Sequence, residues 1–240
     1  MGTPFIENFE WISIPVAGTK SEIYPGLIAR SRFNVKTYHP ELFARFDIVL
    51  PASLNRAVPK RQAEFLAGRY LAEQVLTELG LEKFELQSGE DRAPQWPERI
   101  RGSISHNENT ALCAAHSGLS SSSGVGVDIE TYLSQERAEA LWGMIINEQE
   151  KSLLTASSGS FAHQLTVAFS AKESLFKALY PQARRYFDFL DAELVRIDPS
   201  AGYFELVLLK DLHVDYLHGR VFQGTYLAGE HDVITFITCE

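Results

Sequence analysis

Two acidic residues separated by a single position could bind a metal ion. Asp128 and Glu130 alternate with Val127 and Ile129, and this period of two predicts a β-strand. Residues two apart on a strand point to the same side, so the carboxylates would converge while the valine and the isoleucine face the core. Carboxylate oxygens suit magnesium, with water and a substrate phosphate completing its coordination. By itself, an Asp-x-Glu pair more often marks a strand whose polar face is solvated.

A third acidic residue lies on a predicted helix. Glu173 and Lys177 are one helical turn apart and share a face, as do Lys172 and Phe176. Glu173 could complete the metal site, and Lys177 could stabilise negative charge that develops on a substrate. Two structural interpretations compete: Ser170 and Glu173 have the spacing of a helix capping box, and Glu173 and Lys177 have that of an ordinary ion pair.

A serine and a histidine lie together at the end of a predicted strand. Ser105 could offer a phosphate its hydroxyl and His106 a ring N–H, with Arg92 upstream. Nucleophilic Ser–His catalysis is excluded, because no nucleophile-elbow glycine pattern surrounds the serine and strand neighbours point to opposite faces. The alternative for His106 is an ordinary surface histidine.

A basic stretch interrupts an otherwise acidic chain. Between residues 51 and 71, four basic residues stand against the single acidic residue Glu64. This local excess of positive charge suits a small polyanionic ligand better than a nucleic-acid duplex, and the alternative is a solvated helix face. The four basic residues are Arg56, Lys60, Arg61 and Arg69.

Composition limits the class of protein. The 240 residues include 22 Lys plus Arg and 31 Asp plus Glu, a net charge of −9 that argues against nucleic-acid binding. No apolar run approaches the roughly 18 residues of a membrane span, and no signal-peptide pattern is visible near the start. Cys113 and Cys239 are too few for a disulfide framework or a cysteine zinc site. We therefore expect a cytoplasmic protein that is not an integral membrane protein.

Two α+β halves would carry these residues. Apolar spacing predicts a helix over residues 58–80, and residues 102–115 are typical of two strands around a turn, whereas prolines exclude one regular element over 89–101. A glycine- and serine-rich linker at 117–124 divides the chain almost in half. For the second half we predict a strand at 125–130, helices at 134–154 (interrupted near Asn147) and 170–180 (ended by Pro181), and strands at 203–209, 224–228 and 233–238.

Taken together, these motifs resemble those of the 4′-phosphopantetheinyl transferases. The pattern VGVD at residues 125–128, followed after 40 residues by FSAKESLFK at 169–177, is similar to the family signature. Within the Sfp-type branch, the chain resembles the enterobactin synthase component D subgroup at residues 55–69, 89–97 and 102–106. The resemblance covers roughly residues 50–182, with four separated motifs in the expected order.

The resemblance implies an α+β fold of two similar α/β subdomains in a pseudo-twofold arrangement, with the active site in the cleft between them. Residues 1–120 would form the subdomain with the coenzyme A phosphate clamps, and residues 121–240 the subdomain with the magnesium ligands and the catalytic helix. Coenzyme A would donate its phosphopantetheine arm to a serine of an apo acyl or peptidyl carrier protein, releasing adenosine 3′,5′-bisphosphate. The resemblance further implies siderophore or other secondary-metabolite biosynthesis, and we expect a monomer.

The resemblance also implies residue roles. Asp128, Glu130 and Glu173 would hold magnesium, and Asp128, Glu173 and Lys177 would be catalytic. Glu173 would also activate the carrier serine, directly or through a water, and Lys172 would either contact coenzyme A or be structural. The remaining coenzyme A contacts would be Lys177, Arg92, Ser105 and His106, with the 3′-phosphate ligands drawn from Arg56, Lys60, Arg61 and Arg69.

Two alternatives remain open. A magnesium-dependent hydrolase of pyrophosphate compounds would use the same carboxylates without a protein acceptor. A non-catalytic scaffold that binds a carrier protein would have no need of the metal set, and the presence of all of Asp128, Glu130, Glu173 and Lys177 argues against it.

Overall fold

One long helix and one antiparallel sheet make up most of each half of the chain, which confirms the α+β prediction. The computed structural model describes residues 4–19, 22–117 and 124–239. The predicted linker at 117–124 therefore lies largely outside the described residues.

Two units divide the chain. The first comprises Met1–Ser13 and Pro25–Leu119, and the second comprises Ile14–Tyr24 and Ser120–Glu240. The short segment Ile14–Tyr24 thus belongs with the second unit, although it precedes the expected division near residue 120. Local sequence patterns do not show that this segment groups with the second unit, because the grouping depends on long-range contacts.

The first unit places helix α2 on a sheet with strand order β1-β2-β4-β3. Pro59 begins α2, where its missing N–H costs nothing, and Gly80 with φ 82° follows its last turn. These signals confirm the helix that was predicted over residues 58–80. The elements are β1 (Ile6–Trp11), β2 (Leu27–Phe33), α1 (Glu41–Arg45), α2 (Pro59–Glu78), β3 (Ile100–His106) and β4 (Thr110–Ser117).

The β3–β4 hairpin confirms the two strands predicted around a turn within residues 102–115, and the turn is the Asn-Glu-Asn sequence at 107–109. Asn107 Oδ1 accepts hydrogen bonds from the backbone N–H groups of Asn109 and Thr110, which fixes the turn. Against this hairpin, α2 packs closely at Gly68, where an added Cβ would lie 2.8 Å from Ile104 Cγ2. The end of β3 therefore packs against the middle of α2.

The second unit places helix α5 on a sheet with strand order β5-β9-β8-β7-β6. Its core lies between α5 and the sheet and includes Leu175, Leu179, Val233 and Ile237. The elements are β5 (Gly124–Thr131), α3 (Gln135–Ile145), α4 (Glu148–Ala156), α5 (Phe161–Ala183), β6 (Ala192–Asp198), β7 (Tyr203–Leu208), β8 (Val221–Ala228) and β9 (Asp232–Cys239).

Helices α3 and α4 confirm the helical region that was predicted to break near Asn147. The side chain of Asn147 accepts from the Glu150 N–H, and the Glu150 carboxylate accepts from the Asn147 N–H, so both halves of a capping box are present.

Helix α5 corrects the prediction of a helix over residues 170–180. It begins after Ser160, whose side chain accepts from the His163 N–H, and it runs through Pro181 to Ala183. Pro181 sits in the last turn, where it removes one backbone hydrogen bond without ending the helix. The capping-box interpretation of Ser170 and Glu173 is therefore wrong, because both residues lie in the helix interior.

Strands β1, β2 and β6 had no counterpart in the sequence-based prediction. Strand β6 pairs with β7 with a register shift between Leu194 and Arg196, and β1 pairs with β2 with a shift between Glu7 and Glu10. Such irregular strands lack the clean alternation from which strands are recognised in a sequence.

Two observations bear on the class of protein. None of the helices in the described part of the chain combines the length and apolar character of a membrane span. Cys113 and Cys239 are both buried free thiols.

Glycines on β5 let α5 come unusually near the strand. Gly124, Gly126, Asp128 and Glu130 share the face toward α5, and a Cβ added to Gly126 would fall far inside van der Waals distance of the Ser174 carbonyl oxygen. The carboxylates that follow on this face are thus brought against the helix.

We expect Gly126→Ala to lower the free energy of unfolding by about 1–3 kcal/mol, because the strand and the helix backbone must separate to admit the methyl group. Thermal and denaturant unfolding would measure the loss. Gly143→Ala is the matched control: nothing lies within 4 Å of its added Cβ, and it lies in α3, so it should stabilise the protein by up to about 1 kcal/mol. Equal stability of the two variants would contradict the close approach.

Candidate functional site

Asp128 is buried beneath α5 rather than lying on a solvated strand face. Only 2% of the residue is exposed. Lys177 Nζ donates to its Oδ1 at 2.6 Å, and Ser170 Oγ donates to its Oδ2 at 2.7 Å. This buried carboxylate accepts hydrogen bonds from a lysine and a hydroxyl, as a buried charge must. The interpretation of this strand face as simply solvated is therefore excluded.

Three hydroxyl groups continue the hydrogen-bond network of Asp128 into the sheet. Ser170 Oγ lies 2.9 Å from Thr235 Oγ1, and Ser174 Oγ lies 2.7 Å from the same atom. Thr235 pairs directly with Asp128 across β5 and β9. Sequence reasoning missed Thr235, because a residue on the last strand becomes a neighbour of Asp128 only through sheet pairing.

Glu130 and Glu173 interact electrostatically with Asp128. Burial, followed by the charge of Asp128, raises the pKa of Glu130 to about 7, and Glu173 adds to this while Lys177 opposes it. Burial also raises the pKa of Glu173, with Lys177 acting in the opposite direction and Asp128 raising it further. The three predicted carboxylates and Lys177 therefore share one electrostatic neighbourhood, in which excess negative charge favours a bound cation.

The donor set at this site fits a hard cation in its chemistry, since all three acidic side chains offer oxygen. Within residues 4–19, 22–117 and 124–239, however, no three His, Cys, Asp or Glu side chains meet the geometry of a metal site. Magnesium ligation by Asp128, Glu130 and Glu173 therefore stays a prediction.

A cavity of about 120 Å³ adjoins Glu173. Half of its lining residues are aromatic, and their apolar surface agrees with the burial that raises the pKa of Glu173. The lining residues are Lys172, Glu173, Phe176, Tyr186, Phe187, Asp188, Phe189 and Ala192.

Lys172 points away from the carboxylates into the core. Its Nζ lies 2.7 Å from Glu150 Oε1 and donates to the backbone oxygens of Ile145 and Phe189. The exposed fractions of the Lys172 and Glu150 side chains are 2% and 1%. Of the two roles that the sequence leaves open for Lys172, this placement supports the structural one.

In the first unit, His106 contacts Arg61 on helix α2. Arg61 Nη1 donates to His106 Nε2 at 3.0 Å, and the Glu64 carboxylate lies 3.4 Å from the same guanidinium nitrogen. Ser105, in contrast, is buried and lies on the opposite face of β3. The structure thus brings two of the predicted phosphate contacts together and leaves the serine on the other side of the strand.

Arg69 does not join this pair. It lies eight residues further along α2, about 12 Å along the helix axis, and only 8% of it is exposed. Its Nη2 donates to Ser88 Oγ at 2.8 Å, its guanidinium lies over the Phe65 ring, and burial lowers its pKa to about 10. Arg69 therefore supports the segment that leads to Arg92.

The other basic candidates are exposed. Arg56 lies just before α2 and Lys60 lies in its first turn. Arg92 lies at the tip of a tight turn closed by the Gly89 N–H and the Ala93 carbonyl, and its φ of 67° is a conformation that few side chains adopt. A bulky charged residue at such a position is a candidate for binding rather than for turn formation.

Comparisons with known proteins agree on one family. Residues 50–116 match the family model described as "4'-phosphopantetheinyl transferase N-terminal domain", and residues 124–231 match the one described as "4'-phosphopantetheinyl transferase superfamily".

Individual relatives point the same way. Enterobactin synthase component D of Salmonella typhi is 40% identical over 158 residues, which is 65% of this chain and 65% of the relative. Its counterpart in Escherichia coli (strain K12) is 39% identical over 66% of this chain and 74% of the relative. 4'-Phosphopantetheinyl transferase Svp of Streptomyces mobaraensis is 36% identical over 78% of this chain and 75% of the relative. The match thus spans just under two thirds of the Salmonella protein's length.

Proposed function

The chain belongs to the 4′-phosphopantetheinyl transferase superfamily, and from this premise we propose that it transfers the phosphopantetheine arm of coenzyme A to a serine of an apo carrier protein. The single observation that supports this most strongly is the cluster of Asp128, Glu130, Glu173 and Lys177 on β5 and α5. These residues carry the resemblance in sequence, and they form one electrostatic neighbourhood in the fold.

The reaction requires an activated hydroxyl and a stabilised leaving group. The serine oxygen forms a bond to the phosphorus on the pantetheine side of the pyrophosphate. The bond from that phosphorus to the bridging oxygen breaks, and adenosine 3′,5′-bisphosphate leaves with that oxygen. Glu173 takes the serine proton, directly or through a water, and its raised pKa makes it a stronger base than an exposed glutamate.

Charge compensation is the other requirement of phosphoryl transfer. Lys177, which is a quarter exposed and bonded to Asp128, can meet negative charge on the pyrophosphate from a fixed position. Magnesium bound by Asp128, Glu130 and Glu173 would neutralise charge on the same oxygens.

We assign phosphate recognition to basic and polar residues of the first unit. Arg61 and His106 form a preassembled hydrogen-bonded pair, and Arg92 presents its side chain from a tight turn. Arg56 and Lys60 are exposed and free to reach a ligand, whereas Arg69 and Lys172 act through the structure that they support. Ser105 lies on the far face of β3 and is the weakest of the predicted contacts.

The name of a relative supports a proposal for the pathway. One relative is enterobactin synthase component D, and we propose for this chain a carrier protein of siderophore or other secondary-metabolite biosynthesis. We also propose that the protein is a monomer and that it is cytoplasmic.

A carrier-loading assay tests the proposal. The protein is incubated with coenzyme A, magnesium and a panel of apo carrier proteins, and intact-mass spectrometry follows each carrier. A mass gain of one phosphopantetheine group that requires both magnesium and the carrier serine is the expected result. Cleavage of coenzyme A without a carrier would instead identify a hydrolase, and carrier binding without any cleavage would identify a scaffold.

A further inference from the structure

We propose that Glu64 is a positioning residue, which holds Arg61 and His106 together as a phosphate-binding pair before coenzyme A arrives. This inference rests on the proposed function, because it concerns the coenzyme A site of that reaction. Glu64 is the single acidic residue of the basic stretch at 51–71. From charge alone, a carboxylate beside a phosphate-binding site should weaken the binding of coenzyme A, so a favourable role of Glu64 must come from its effect on neighbouring residues.

Glu64 lies close to both side chains of this pair. Its Oε2 lies 3.4 Å from Arg61 Nη1 and 3.9 Å from His106 Nε2, and these two nitrogens are themselves 3.0 Å apart. Arg61 and Glu64 are three residues apart on α2, which puts them on one face, whereas His106 ends β3. Three side chains from two elements thus converge on one spot.

Burial distinguishes Glu64 from a surface counter-ion. Only 12% of its side chain is exposed, compared with 50% for Arg61 and 27% for His106. The most enclosed member of the cluster is therefore the acid, and α2 packs closely on β3 one turn further along the helix, at Gly68 and Ile104. A ligand would reach the arginine and the histidine from solvent with the carboxylate behind them.

Charge explains what such an acid contributes. Arg61 is always protonated, and its N–H donates to Nε2 of a neutral His106 ring, so the guanidinium is the positive charge of the pair. The Glu64 carboxylate attracts that charge and keeps it beside His106 in the free protein, and a bound phosphate adds a second anionic partner. Without Glu64, the exposed Arg61 side chain would sample solvent, and coenzyme A would bear the entropic cost of ordering it.

Kinetics of Glu64→Gln test the inference. The change removes the charge and keeps the size, and we expect the KM for coenzyme A to rise by about five- to tenfold with a much smaller change in kcat. Glu78→Gln, on the exposed end of the same helix, removes one carboxylate in the same way and should leave both constants unchanged. Calorimetric titration with coenzyme A, without a carrier, should show the same loss of affinity.

A double-mutant cycle separates positioning from general destabilisation. Because Glu64 acts through Arg61, Glu64→Gln should have little further effect on coenzyme A affinity in an Arg61→Ala background. Full additivity, or an unchanged or tighter affinity in Glu64→Gln alone, would overturn the inference. Carrier loading by the wild-type protein decides the proposed function separately, and a wild-type protein that does not bind coenzyme A would overturn both.

Discussion

Asp128→Asn is expected to reduce the rate of carrier loading by at least about 100-fold, which is the usual effect of removing a preorganised charge from a phosphoryl-transfer site. The change is nearly isosteric, so the side chain still fills its place under α5. It removes the charge that holds Lys177 at 2.6 Å and one of the three acidic ligands proposed for magnesium. Either loss leaves the pyrophosphate without part of its charge compensation.

The fold should survive this substitution. Lys177 is a quarter exposed and can be solvated once its partner is neutral, so we expect a cost of about 1–2 kcal/mol rather than that of a fully buried pair. That cost corresponds to a decrease in Tm of about 2–8 °C for a chain of this size. Circular dichroism and thermal unfolding would establish it.

Asp47→Asn is the matched control for Asp128→Asn. Asp47 is exposed and has a φ of 57°, a conformation that asparagine adopts readily, so the change should affect neither loading nor folding. Intact-mass analysis of the carrier under saturating coenzyme A measures all three proteins. Loading by Asp128→Asn at more than a tenth of the wild-type rate would contradict the assignment of Asp128 to the catalytic site.

Lys172→Met is expected to lower the free energy of unfolding by about 3–5 kcal/mol, the range for breaking a buried ion pair by removing one partner. The substitution leaves Glu150 with a buried charge and deprives the carbonyls of Ile145 and Phe189 of a donor. Glu150 also accepts from the Leu194 N–H at 2.7 Å, so the damage reaches β6 as well as α3 and α4. Burial already lowers the pKa of Lys172, in spite of its partner.

Chemical denaturation at neutral pH would measure this loss, with Lys36→Met as a control on an exposed turn. The double variant Lys172→Met with Glu150→Gln should be more stable than the sum of the single changes predicts, since it removes the orphaned charge. A Lys172→Met protein as stable as the wild type, with a raised KM for coenzyme A, would show that Lys172 contacts the substrate instead.

Local patterns were sufficient for much of the fold. The apolar spacing and terminal signals of α2, the Asn-Glu-Asn turn between β3 and β4, the alternation along β5 and the capping box at Asn147 each depend on residues a few positions apart. The end of α5 was predicted wrongly, because a proline in the last turn of a helix looks the same in sequence as one that ends it.

The residue types that could do chemistry are evident from the order of residues: three acidic residues and a lysine in two motifs, and a basic stretch with a histidine beyond it. Their surroundings are not evident there. Folding buries Asp128 with Lys177, places Lys172 in the core with Glu150, turns Arg69 into a support for a turn, and brings Glu64 next to Arg61 and His106. The difference is one of range. Helix and strand signals act over a few residues, whereas burial, charge compensation and pairing depend on segments that are tens of residues apart and meet only when the sheets and helices pack.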